Sequence, residues 1–195
     1  MNRWNNGRNK LYLKGDMPMK RMNSRGFTLI EVIVVAGIIA ILASILIPMV
    51  LKEIDESRIT KAQADVRSIL TSIVVFKKDT AKWPIMDSGC APNVTLLTGD
   101  GTLPNLAGMG YDSGVTSSLN DQLAADTNGC YTTWKGPYMA RVTADPWGNT
   151  YLINADGFSI DGQAVWILSA GPNGQVETPT FSQTLLGDDI GLRIK

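Results

Sequence analysis

Glu31 is the residue whose setting most constrains the chemistry of this chain. Phe27-Thr28-Leu29-Ile30 precede it, and the twenty residues from Val32 to Leu51 carry no charge. A carboxylate in such a run costs about 2.5–3.5 kcal/mol on membrane-insertion scales, so it normally has a partner and a role. A second chemistry is open to Cys90 and Cys130, the only two sulfhydryls. Their separation fits no zinc or redox motif. A disulfide is the expected state in an extracytoplasmic domain, with two buried free thiols as the alternative. The chain has no His, so it lacks any Ser-His or Cys-His nucleophile. No Gly-rich phosphate loop follows a strand. Asp145, Asp156 and Asp161 sit among turn residues and read as turn makers, and the chain is read as a non-enzyme.

The element that carries Glu31 is a helix. Twenty uncharged residues at about 1.5 Å each span roughly 30 Å, the thickness of a bilayer's hydrocarbon core. A secretory signal has a shorter apolar core and a small-residue cleavage site after it. Here the run continues into a charged helical segment. From Lys52 to Lys78, Ile54, Ile59, Ala62, Val66, Ile69, Ile73 and Phe76 recur at three- to five-residue steps, the mark of an amphipathic helix. Asp55–Arg58 and Lys61–Asp65 are expected as surface pairs on it. Pro48 removes one hydrogen bond inside the apolar run and is expected to bend or loosen it, although membrane helices also tolerate proline. Trp83-Pro84 is expected to stop the helix.

Charge is unevenly distributed. The formal net charge is zero, but the first 26 residues hold seven Lys/Arg and one Asp. What remains has 11 basic and 17 acidic residues, a charge of −6. The basic leader suits the cytoplasmic side of a membrane, and the acidic remainder argues against nucleic acid as a partner. Met1, Met17, Met19 and Met22 are all eligible start residues.

Beyond the helix, 81–135 is rich in Gly, Asn, Asp, Ser and Thr. Cys90 to Trp134 reads as a long loop with one short helix near Ser117–Ala125, stapled by Cys90 and Cys130. Strands are expected at Tyr151–Asn154 and Ala164–Ser169, with a shorter third at Gly136–Met139. The expected fold class is α+β: one long helix, half in lipid and half packed on a small antiparallel sheet. The expected divisions are a leader at 1–26, a membrane helix at 27–51, an amphipathic helix at 52–80, a variable region at 81–135, and a sheet with a C-terminal loop at 136–195.

Arg25-Gly26-Phe27-Thr28-Leu29-Ile30-Glu31 resembles the processing site of type IV pilins and type II secretion pseudopilins. The resemblance implies cleavage between Gly26 and Phe27 by a prepilin peptidase and N-methylation of Phe27. It implies that Pro48 marks a stretch able to loosen on packing into a filament. The new Phe27 amine is positive, so Glu31 can pair with that amine in a neighbouring copy and set the axial stagger. The alternative is that Glu31 reaches to the headgroups.

A narrower likeness lies further on. Gly136-Pro137-Tyr138, Asp145-Pro146-Trp147-Gly148-Asn149 and Leu168-Ser169-Ala170-Gly171-Pro172-Asn173-Gly174 resemble the C-terminal half of the major pseudopilin of type II secretion. That family's final loop commonly binds one calcium ion. The matching positions are Leu168 through its carbonyl, Asn173, Asp188 and Asp189, although the family more often has Asp at the position of Asn173. The alternative is an ordinary turn with a solvated Asp pair. The resemblance implies a homopolymer in the inner membrane and periplasm. Its partners would be minor pseudopilins or pilins, a platform protein and an assembly ATPase. The competing readings are a type IV pilus subunit and a membrane-anchored binding module that never polymerises.

Overall fold

The structure is a computed structural model and describes residues 26–111 and 114–195. The eligible start residues and the basic leader up to Arg25 lie outside the described residues. The chain divides into two compact units, with the boundary between Leu46 and Ile47.

A single helix, α1, runs Leu29–Thr80 and contains Pro48 without a break. Its first part exposes its apolar side chains: Ile33, Val35, Ile39, Ile41, Ile45 and Ile47 are all more than half exposed. Its later part buries Ala62, Val66, Ile69, Ile73 and Phe76, as the spacing predicts, whereas Ile54 stays exposed. Both expected ion pairs form, Arg58–Asp55 at 3.7 Å and Lys61–Asp65 at 2.9 Å. The helix ends three residues before Trp83. Ala81 takes φ +57°, and the Thr80 hydroxyl accepts the Lys82 N–H.

The second unit contains a five-stranded sheet. The strands are β1 (Val94–Thr98), β2 (Val115–Ser118), β3 (Leu152–Asn154), β4 (Trp166–Ser169) and β5 (Ile190–Arg193), in the order β2-β1-β3-β4-β5. β1 and β2 are parallel and the other pairs antiparallel, so the sheet is mixed where a purely antiparallel one was expected. The segment Cys90–Trp134 is not one loop either: it supplies β1, β2 and a π-helical turn, Asn120–Ala124. The parallel pair needs a long crossover, which 99–114 provides. Gly136–Met139 is not a strand. Tyr138 spends its N–H on Leu123, and its carbonyl accepts the Ser72 hydroxyl of α1, so this backbone docks onto helix and turn.

Alternation along the strands splits the core in two. Leu97, Ile153 and Ile167 face Val66, Ile69, Ile73 and Phe76 of α1. Leu96, Leu152, Trp166 and Leu168 point to the opposite face, covered by Leu106, Tyr111 and Val176. Phe76 meets Tyr131 edge-on at 4.7 Å and Tyr138 at 5.4 Å. Cys90 and Cys130 form a disulfide. Beside it, the Tyr131 hydroxyl donates to Gln122 and accepts the Met86 N–H, and burial pushes this phenol up to about 12.

Candidate functional site

The first site is the start of α1. Gly26, Phe27 and Thr28 precede the first helical residue in irregular backbone, and Phe27 is 88% exposed. The Gly26–Phe27 bond therefore lies outside helical hydrogen bonding, a setting that leaves a peptide accessible. Thr28 is the cap. Its backbone N–H and its hydroxyl both donate to Oε2 of Glu31, at 2.8 and 2.7 Å, and the Glu31 N–H reaches back to the Thr28 hydroxyl at 3.4 Å. This is a capping box, with Thr and Glu three apart ahead of an apolar run. Sequence reading singled out Glu31 for its cost in lipid and passed over Thr28, although the Thr-x-x-Glu spacing was available as a signal. Glu31 lies in an open apolar groove with Phe27, Val32, Val35, Ala36 and Ile39. Both Thr28 donors use Oε2, so Oε1 is left without a hydrogen-bond donor among the described residues. Pro48 lies twenty-one residues after Phe27, and the helix passes through it.

The second site is the loop from Gly171 to Asp189, between β4 and β5. Gly171 sits at φ +64°, and a Cβ there would lie 2.3 Å from the Asp188 carbonyl oxygen. Only glycine allows both the left-handed backbone and that approach. The Asn173 N–H donates to Asp188 Oδ2 at 3.0 Å, while the Asn173 side-chain oxygen accepts the Gln175 N–H at 2.7 Å. The N–H groups of Glu177 and Thr178 both donate to Asp189 Oδ2, at 3.0 and 2.7 Å. Glu177 Oε2 accepts the Asp188 N–H at 2.9 Å. Two oxygens are left over: Oδ1 of Asp188 and Oδ1 of Asp189 are buried with no hydrogen-bond partner. Burial raises the Asp189 carboxyl above the usual carboxylate range, and the Glu177 charge adds to this against the N–H donors that lower it.

The sequence-expected oxygen donors are thus partly assembled. Asn173, Asp188 and Asp189 gather at the loop's two ends, and Leu168 lies in β4 opposite Gly191, two residues after Asp189. Among the described residues no group of three or more His, Cys, Asp or Glu is arranged to hold a metal ion, so any cation here needs amide and carbonyl oxygens as well. Glu177 was not picked out from the sequence. Its signal is the geometry of the turn: a Cβ on Gly187 would lie 1.5 Å from Glu177 Oε2, so the loop closes around that carboxylate.

Comparison with known proteins adds two family matches. Residues 21–47 match the prokaryotic N-terminal methylation motif, and residues 115–186 match protein G of the type II secretion system. A type II secretion system core protein G from Escherichia coli is 31% identical over 79% of this chain and 86% of its own length. Proteins of the same name from Pseudomonas aeruginosa and Vibrio cholerae are 29% and 28% identical, over 71% and 80% of this chain and 79% and 87% of their own lengths. No solved structure gives a significant match.

Proposed function

This chain belongs to the type II secretion system core protein G family, the major pseudopilins, and on that premise we propose how its residues carry subunit assembly. It is a structural subunit of the secretion pseudopilus, and it is membrane-anchored through the apolar part of α1. The relatives favour secretion over the type IV pilus reading.

Prepilin peptidase cuts between Gly26 and Phe27, and the new Phe27 amine is methylated. Residues Phe27–Leu51 hold the processed subunit in the inner membrane by a single pass, with the C-terminal unit in the periplasm. The basic leader supports the cytoplasmic side for the N-terminus. Homopolymerisation joins copies through α1, with minor pseudopilins, a platform protein and an assembly ATPase as the further components. The subunit's role is structural; no step requires it to be a catalyst.

The observation that carries this reading is Glu31 in its apolar groove. Thr28 turns one carboxylate oxygen back onto the helix end and leaves Oε1 for an incoming cation. The amine at Phe27 of a neighbouring copy is that cation. In low dielectric an unpaired charge is strongly unfavourable, so pairing fixes one stagger between copies. Pro48 removes one backbone bond within the same helix, leaving a point where α1 can loosen as copies pack. Calcium is the cation this loop would hold, through the Leu168 carbonyl, Asn173, Asp188 and Asp189. The two partnerless Asp oxygens support it. Bound there, the ion would supply positive charge that ties the ends of the loop together.

The decisive experiment is mass analysis of native chain with parallel assembly assays. A mature N-terminus at methylated Phe27, and Glu31→Ala that inserts in membranes without forming filaments, are the expected results. An intact start upstream of Gly26, or normal filaments from Glu31→Ala, would overturn the reading.

A further inference from the structure

Arg67 and Asp189 line the same cavity. It has a volume of about 230 Å³ and lies between α1 and the segment that leads into β5. Gln63, Val66 and Arg67 form the helix side, and Leu185, Asp189 and Leu192 lie across from them. The two charged residues stand in opposite circumstances. Asp189 is 8% exposed, its Oδ2 is tied by two backbone N–H groups, and its Oδ1 is buried without a donor. Arg67 is exposed, and no ion pair engages it among the described residues. A buried carboxylate oxygen without a partner is unfavourable, and a cation is the strongest remedy.

Two cations can answer it. One is a divalent ion at Asp188–Asp189. The other is Arg67, which already lines the cavity. Its methylene stem can lie along Val66, Leu185 and Leu192 while its planar head reaches inward. The remaining cations of this part of α1 are engaged or placed elsewhere: Lys61 is held by Asp65, and Lys77 lies over the Trp83 ring.

We propose that Arg67 is the internal counter-ion of Asp189 and competes with a divalent cation for it. When the loop is empty of metal, Arg67 folds into the cavity and pairs with Asp189. When calcium binds, Arg67 is released to the surface of α1. The loop's cation state and the presentation of a charge on the assembly helix are thereby linked, and linkage is reciprocal: whatever engages Arg67 at the helix surface strengthens calcium binding. This inference rests on the calcium reading of the loop.

The test uses the full chain purified in detergent micelles, with calcium titrated by calorimetry and melting followed by tryptophan fluorescence in EDTA. Arg67 is on an exposed helix position, so Arg67→Gln leaves the core intact. Removing the competitor should tighten calcium binding about five-fold or more. Lys78→Gln, which deletes a cation from the same helix away from the cavity, should bind calcium as the parent does. In EDTA, Arg67→Gln should lower the melting temperature of the parent and leave that of Asp189→Asn unchanged. Unchanged calcium affinity in Arg67→Gln, an equal gain in Lys78→Gln, or additive shifts with Asp189→Asn would each overturn the proposal. If neither the parent nor Arg67→Gln binds calcium, the calcium reading fails and competition falls with it. The EDTA cycle then reports separately whether Arg67 and Asp189 pair.

Discussion

Thr28 clamps Glu31: two donors of one residue, a backbone N–H and a hydroxyl, converge on the same carboxylate oxygen at 2.8 and 2.7 Å. The clamp fixes the direction in which the free oxygen can accept a cation. Thr28→Val removes the hydroxyl at nearly constant volume and should reduce filament yield severalfold while membrane insertion persists. Thr28→Ser retains the donor and should restore assembly. Filament shearing with quantitative immunoblotting of both variants measures this. Equal yields from Thr28→Val and the parent would show that the clamp is dispensable.

The Cys90–Cys130 bridge ties the entry of β1 to the far side of the π-helical turn. Closing a loop of that size stabilises by roughly 4 kcal/mol in the chain-entropy picture. Replacing both cysteines by Ser should cost about 2–5 kcal/mol in chemical denaturation. Reductant should lower the parent's midpoint and leave the double variant's unchanged. A double variant as stable as the oxidised parent would assign the bridge no stabilising role.

How far these features could be read in advance depends on the kind of signal each leaves. The apolar run and the spacing of Val66, Ile69, Ile73 and Phe76 state α1 directly, because burial on one helix face imposes a period on the chain. β3 and β4 are equally legible as short β-branched and aromatic runs between turns. β2 is Val-Thr-Ser-Ser with two exposed and two half-buried residues, so no alternation marks it, and only its partner β1 makes it a strand. β5 is an edge strand with Gly191 and Arg193 in it and gives no apolar pattern. The loop's acids are legible as a pair, but the role of Glu177 is tertiary: its carboxylate caps the Asp188 N–H from eleven residues away.

Asp189 supplies a pH signature. Burial raises its carboxyl above the value it has in the unfolded chain, so the folded state binds its proton more readily. Its contribution to stability is therefore full below about pH 4, near the unfolded value, and is lost as pH rises through the raised folded value. In EDTA and in an Arg67→Gln background, which removes the proposed counter-ion, Asp189→Asn cannot ionise, so its melting temperature relative to Arg67→Gln alone should rise between pH 4 and pH 7. Parallel thermal melts at the two pH values test it. A difference that stays flat, or falls with pH, contradicts the burial of an ionisable oxygen at this position.

Tyr151 links the sheet to the helix. Its hydroxyl donates to Asp65 Oδ2 at 2.9 Å, and Lys61 holds the same oxygen at 2.9 Å. Burial and the Asp65 carboxylate both raise the phenol, which keeps it protonated as a donor. Tyr151→Phe preserves the packing and deletes the bond, so it should cost about 0.5–1.5 kcal/mol. Asp65→Asn should cost distinctly less in the Tyr151→Phe background than alone, since the two share one interaction. Additive losses in a double-mutant cycle would show that the hydroxyl and the carboxylate act independently.

Gly171 and Gly148 separate backbone conformation from close approach. Both hold positive φ, +64° and +93°, and both would be strained by any side chain. Around Gly148 a Cβ meets nothing within 4 Å, whereas at Gly171 it would lie 2.3 Å from the Asp188 carbonyl oxygen. Backbone atoms cannot swing aside as a flexible side chain can, so Gly171→Ala must push β4 and the Asp188 end of the loop apart. Gly148→Ala should cost about 1 kcal/mol from conformation alone, and Gly171→Ala distinctly more. The same displacement separates Asn173 from Asp188, so Gly171→Ala should also weaken calcium binding while Gly148→Ala leaves it unchanged. Denaturation midpoints and calcium titrations of the two variants, run side by side, decide the point. Equal costs would mean that the loop yields freely and that its close approach to Asp188 does not shape the site.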